Sequence, residues 1–144
     1  MLFAKENRKD LALFVLRIGF GLSMALFHGW GKITGGTEKW IGLGKSMAMF
    51  GITFWPVMWG FMAAFAEFVC SILVAGGLGT RIASFLLAGT MIVASIKHLS
   101  LPPESPAAGW KGASHALEFL CVYIALMISG PGKFSLDYKF FSKK

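Results

Sequence analysis

Charge is what this chain is shortest of. Only 15% of its 144 residues are charged and seven are acidic, whereas 56% are hydrophobic and the mean hydropathy is +0.66. Soluble domains carry about 25% charged residues, so a chain this apolar is not built to face water on every side. Cysteine is also scarce. Cys70 and Cys121 form no C-x-x-C pair and no ligand cluster, which excludes a disulfide scaffold and a cysteine metal centre by spacing, and both read as small buried hydrophobes. There is no internal repeat and no pair of interrupted apolar runs, which argues against a carrier built from inverted halves. The formal charge is +7, yet no basic helix face or aromatic-basic stripe accompanies it. Its lysines and arginines sit at the ends and between apolar runs, where they meet anionic headgroups rather than nucleic acid.

What is abundant is long apolar sequence. Four runs, at about 11–30, 57–75, 82–101 and 113–129, are long enough to cross a bilayer as helices, which predicts an all-α integral membrane protein: a four-transmembrane-helix bundle spanning 1–144 as one domain. Lys5, Arg8 and Lys9 before the first run resemble a signal peptide. The run is too long for one and ends in W-G-K-I-T-G-G without a small-x-small cleavage site, so it reads as a retained first helix. Gly29, Gly31, Gly35 and Gly36 end that helix, and the segment Ile41 to Phe54 is too polar to span. With Met47, Met49, Phe50, Trp55 and Trp59 it suits an interfacial or re-entrant piece. Pro56 opens helix 2, a glycine turn with Arg81 joins helices 2 and 3, Pro102, Pro103 and Pro106 break the chain before helix 4, and Gly130-Pro131-Gly132 ends it. Four spans place both termini on one side. Lys5, Arg8, Lys9, Arg81, Lys133, Lys139, Lys143 and Lys144 outweigh Lys32, Lys39, Lys45, Lys97 and Lys111, which predicts cytoplasmic termini.

Against that apolar background the ionisable residues inside the spans stand out. Arg17 lies within helix 1, where a guanidinium costs roughly 2.5–3.5 kcal/mol on insertion scales. At 100° per residue it shares a face with Gly21, Met24 and His28, so that stripe should face protein. Glu67 falls about 15 Å below the outer end of helix 2 and Arg17 about 20 Å below that of helix 1, which predicts an Arg17–Glu67 ion pair. Glu118 falls about 8 Å below the outer end of helix 4, one turn from His115 and near the level of His28, Lys32, Lys97 and His98. Glu118 orienting His115 would suit proton transfer. His28, His98 and His115 share a level, but no two lie at metal-ligand spacing on one helix, so no metal site is assigned. The bland alternatives are charges that only specify which helices meet, and a His28–Trp30 pair that only anchors a helix end. By the same depths Cys70 and Cys121 differ by about 7 Å along the membrane normal, which makes a disulfide between them unexpected.

Several stretches together carry a family likeness: L-R-I-G-F-G and F-H-G-W-G-K in helix 1, A-F-A-E-F in helix 2, the G-L-G-T-R turn, A-L-E-F in helix 4 and the terminal G-P-G-K-F-S-L-D. In this order and spacing the chain resembles the DoxX family of small four-helix bacterial membrane proteins, over nearly its whole length. The resemblance implies a bacterial inner (cytoplasmic) membrane protein related to the membrane subunit of a thiosulfate:quinone oxidoreductase. Residue by residue it points to Arg17, His28, Lys32, Glu67, Arg81, Glu118 and Asp137.

The reading that follows is a subunit that binds a quinone or similar lipid-soluble ligand in an outward-opening pocket bounded by helices 1, 2 and 4. Glu118 and His115 would exchange protons. Arg17, His28, Lys32 and Glu67 would bind the ligand, with Arg17 and Glu67 as the floor, while Arg81 and Asp137 would be structural. Electrons would come from a redox partner protein or a small sulfur compound, since the chain has no haem, flavin or iron-sulfur motif. A homodimer through the glycines is compatible with this, and membrane lipids are the surroundings. A non-enzymatic scaffold subunit and a small-solute or proton-coupled carrier are the alternatives.

Overall fold

The apolar runs fold as antiparallel helices because a backbone in hydrocarbon must satisfy its own polar groups. The computed structural model describes residues 7–141; Lys5, Lys143 and Lys144, which contribute to the expected charge bias, lie outside them. In chain order the elements are α1 (Arg8–Ile33), α2 (Gly36–Gly44, continued by a 3-10 stretch Lys45–Phe50), α3 (Pro56–Gly76), α4 (Thr80–Leu99), α5 (Gly109–Ser129) and the short α6 (Leu136–Phe141). Helices α1, α3, α4 and α5 are each long and apolar enough to cross a membrane, so this is a multi-pass helical membrane protein. They pack as a ring in which α1 meets α3, α3 meets α4, α4 meets α5 and α5 returns to α1. The end holding α6 is the terminal end here, and the opposite one the distal end.

Two boundaries differ from the sequence reading for physical reasons. Gly29 and Gly31 do not stop α1, which runs on to Ile33. A glycine inside a helix costs only about 1 kcal/mol, and Gly29 is required for contact: a Cβ there would strike the carbonyl of Glu67 on α3, as one on Gly21 would meet that of Ser71. The segment after α1 is helical from Gly36 rather than from Ile41. It lies against the first turns of α3, with the Trp40 ring 5.0 Å from Phe61 and its indole N–H donating to the Lys32 carbonyl at 2.9 Å.

Both helices of the α1–α3 contact widen into π-helical turns, over Met24–Gly29 and Ala66–Cys70. Such turns rotate the residues that follow and recur at functional sites. They contain His28 and Glu67.

The core that holds the ring together is Met24, Cys70, Val74, Ala83, Leu87, Met91, Phe119, Tyr123 and Leu126, all nearly inaccessible. Mixed into it is an unusual number of polar groups. Arg17, Ser71, Thr80, Ser84 and Tyr123 have 0% exposure, and Arg17 Nε together with the hydroxyls of the other four has no hydrogen-bond partner among the described residues. Each such orphan costs about 1–3 kcal/mol unless something solvates it.

Candidate functional site at the distal end

Helix direction decides which of the buried charges meet. The Cα–Cβ bond tilts toward a helix N-terminus, so side chains of α1 lean toward the terminal end and those of the antiparallel α3 toward the distal end. Glu67 therefore reaches up from α3 as Lys32 reaches down from the last turn of α1, and the two form a hydrogen-bonded ion pair. The Glu67 side chain is 3% exposed and that of Lys32 27%. Arg17 leans the other way. The expected Arg17–Glu67 pair is not formed, because comparing Cα levels alone ignored that their side chains diverge.

Next to the ion pair, His28 and His115 face each other across α1 and α5 with their Nε2 atoms 2.8 Å apart. Two imidazoles can bond this way only if one Nε2 carries a proton and the other does not, so the contact holds one proton between the rings and a second would break it. Their centroids are 4.6 Å apart, and Phe119 forms an aromatic floor, 4.8 Å from His115 and 6.0 Å from His28. His28 is half-buried and His115 exposed. From the surface inward, the order is thus a histidine pair, a lysine and a buried carboxylate.

The other expected site residues fall elsewhere. His115 takes His28 as its partner rather than Glu118, which is exposed one turn deeper on α5. His98 is tied by Nδ1 to the Ala107 carbonyl at 2.8 Å and bridges the end of α4 to the loop before α5. Among the described residues no group of three or more His, Cys, Asp or Glu is arranged to hold a metal. Cys70 is buried, Cys121 is exposed, and both are free thiols. Two open grooves, of about 470 and 530 Å3, lie at the terminal end, one against Asp10, Gly132 and Asp137 and the other along Arg8, Leu11 and Val15. Neither is lined by the distal polar residues. The distal site is presented at the surface of the bundle.

Arg17 belongs to a second centre at the terminal end. Its guanidinium donates to the carbonyls of Val74 and Ala75 at 3.4 and 3.3 Å, and to that of Phe134. The first two lie in the last turn of α3, at the negative pole of its dipole, and that of Val74 also accepts from the Gly77 N–H at 3.0 Å. Gly77 follows with φ +71, and a Cβ there would collide with the same guanidinium. Asp137 accepts from the backbone N–H groups of Gly79 at 2.8 Å and Thr80 at 3.1 Å, capping the start of α4. Arg81 reaches the Ile128 carbonyl at 3.5 Å. Sequence reasoning missed Asp10, which holds the Lys133 N–H at 2.9 Å, and Tyr123. The tyrosine had a usable signal: it is a phenol in the middle of an apolar span, where a buried O–H normally seeks a partner.

No curated protein and no solved structure matches the chain. The DoxX family model matches residues 12–99, which takes in α1 through α4, with the Lys32–Glu67 pair and Arg17, and leaves α5 and Asp137 outside it. With more than half of its length matched and four helices long and apolar enough to cross a membrane, the chain belongs to the DoxX family.

Proposed function

We propose that this protein binds a planar, carbonyl-bearing, lipid-soluble molecule of the quinone class at the distal ends of α1 and α5, reached sideways from the bilayer, and exchanges protons with it there. The observation that carries this reading is the His28–His115 contact, in which an exposed imidazole shares one proton with a half-buried one beside the partly buried Lys32–Glu67 pair. A ligand of this class fits the residues present. His115 Nδ1 has no partner among the described residues and can donate to or accept from a carbonyl or hydroxyl, while Phe119 and the exposed rings of Phe27 and Trp30 offer apolar and aromatic surface. When bound, a quinone supplies two-electron chemistry coupled to uptake of two protons, with electrons from a redox partner. His115 orients the carbonyl. His28 takes up or returns the shared proton, and Lys32 with Glu67 fixes the local charge. The excess of basic residues on the terminal side supports cytoplasmic termini in a bacterial inner membrane, which would put the histidine pair on the outer side.

Native mass spectrometry with lipid extraction on gently purified protein tests the reading. Wild type should carry a quinone that His115→Ala loses. Absence of quinone from wild type, or its retention by the variant, would count against it.

A second reading, an assembly subunit for another membrane protein, has one observation in its favour. Glu118 is exposed at mid-span on α5, in line with Ser114, Cys121, Ala125 and Ser129. A small, polar helix face carrying a carboxylate is what helix–helix contacts in membranes use. Under that reading Glu118→Leu frees a co-purifying partner while His115→Ala leaves it bound.

A further inference from the structure

At the terminal end, side chains of opposite charge line one groove without pairing. The groove, of about 470 Å3, lies between the start of α1 and α6, and Asp10, Gly132, Lys133, Tyr138 and Phe141 line it. The turn after α5 is moulded onto the first of these. Gly132 has φ +73, and a Cβ there would come within 3.1 Å of Asp10 Oδ1 and 3.3 Å of the Leu13 side chain. That close approach lets the Lys133 N–H donate to Asp10 Oδ1 at 2.9 Å. One carboxylate oxygen is thereby used, while Oδ2 has no hydrogen-bond partner among the described residues. The Lys133 side chain is exposed on the same groove, and no ion pair joins its ammonium to the Asp10 carboxylate. Asp137, the other carboxylate here, has both oxygens occupied by the N–H groups of Gly79 and Thr80. Apolar surface continues from the groove toward the bilayer. Phe14 stands one turn along α1 from Asp10, its ring 6.4 Å from that of Phe134, and both rings are partly exposed. Tyr138 and Phe141 are exposed as well, and aromatic side chains at the end of a span lie at headgroup depth.

We propose that this groove binds the headgroup of a membrane lipid of the phosphatidylethanolamine class, with the lipid ammonium on Asp10 Oδ2, its phosphate on the Lys133 ammonium and an acyl chain over Phe14 and Phe134. The charges select the ligand. An anion and a cation that share a groove without closing on each other match a zwitterion, and in this headgroup an ethylene unit holds the ammonium beside the phosphate. A primary ammonium donates hydrogen bonds to a carboxylate, whereas the quaternary ammonium of phosphatidylcholine has no N–H to give. Phosphatidylglycerol offers no cation, so its phosphate on Lys133 would leave the Asp10 charge uncompensated. The exposed Lys9 on the same rim attracts any anionic headgroup, so preference among lipids, rather than binding as such, reports on the groove. The bound headgroup would bridge the first turn of α1 and the segment after α5, two parts of the chain far apart in sequence. This site lies at the opposite end of the bundle from the histidine pair and is independent of any quinone.

Native mass spectrometry of the full-length protein in detergent tests the assignment, with phosphatidylethanolamine, phosphatidylcholine and phosphatidylglycerol of identical oleoyl chains titrated in turn. Wild type should hold the ethanolamine lipid about tenfold more tightly than either of the others, the scale of one charge-assisted hydrogen bond. Asp10→Asn keeps an oxygen for the Lys133 N–H and should leave the turn folded, with the Lys133 amide still protected from exchange, yet it should abolish the preference. Lys133→Gln alters only an exposed side chain and should weaken the ethanolamine lipid several-fold. Glu104→Gln, which removes an exposed carboxylate at the distal end, should change nothing. Soluble glycerophosphoethanolamine at the concentration of the lipid should fail to displace it, because it has no chain to lay over Phe14 and Phe134. Equal binding of the three lipids by wild type, tighter binding of either competitor, or a preference that survives both Asp10→Asn and Lys133→Gln would overturn the proposal. Displacement by the soluble headgroup would overturn the lipid as occupant.

Discussion

The two ends of this bundle use charge in opposite ways. At the terminal end Arg17 and Asp137 are spent on backbone: the guanidinium closes the last carbonyls of α3 and the carbonyl of Phe134, and the carboxylate closes the first N–H groups of α4. These bonds go to backbone groups at or near helix ends, so the groups are fixed in number and geometry. At the distal end Lys32, Glu67, His28 and His115 are spent on one another, and every one of those bonds depends on where a proton sits. Intramembrane charge alone does not distinguish structure from chemistry. The partner does: a peptide group marks a brace, and another titratable side chain marks a site.

The comparison predicts a ranking of stability losses. Arg17→Ala should be the most damaging, because the carbonyls of Ala75 and Phe134 lose the guanidinium, that of Val74 keeps only the Gly77 N–H, and each buried orphan costs about 1–3 kcal/mol; folded yield and thermal midpoint in detergent read this directly. Glu67→Gln should cost about 2–3 kcal/mol, less than the 3–5 typical of a fully buried broken pair, since Lys32 is 27% exposed and can turn toward water. Replacing both partners by methionine should recover much of that loss, and a double-mutant cycle without such recovery would show that the pair is a brace after all. Asp137→Ala should lose about 0.5–2 kcal/mol, the usual cost of a helix N-cap, with faster amide exchange at Gly79 and Thr80. His115→Ala should change stability by no more than about 0.5 kcal/mol, as exposed substitutions do. A destabilisation of His115→Ala comparable with that of Arg17→Ala would erase the distinction between the two ends.

Much of the fold is legible in the sequence because hydropathy and proline or glycine breaks report directly on the energy of spanning a membrane. The four spans and the inward face of Arg17, Gly21 and Met24 emerge that way. The pairing of the charges does not. Levels along a helix axis placed Arg17 within reach of Glu67, but the direction of Cβ on antiparallel helices separates them and brings Lys32 to the carboxylate instead. The π turns holding His28 and Glu67, which meet at the close α1–α3 contact of Gly29, have no signature in hydrophobic periodicity. Glu118 shows the same limit: one turn from His115 on the helix surface, it still points into open surface while His115 turns to another helix.

The most direct test of the distinction is a titration of a short-chain quinone into wild type, His115→Ala and Asp137→Ala in identical nanodiscs, with affinity and thermal midpoint measured on the same samples. The account predicts that His115→Ala loses about tenfold or more in affinity, at least about 1.4 kcal/mol, with its midpoint unchanged. It predicts that Asp137→Ala loses midpoint with affinity intact. Affinity that survives His115→Ala, or that simply follows the midpoint in both variants, would contradict it.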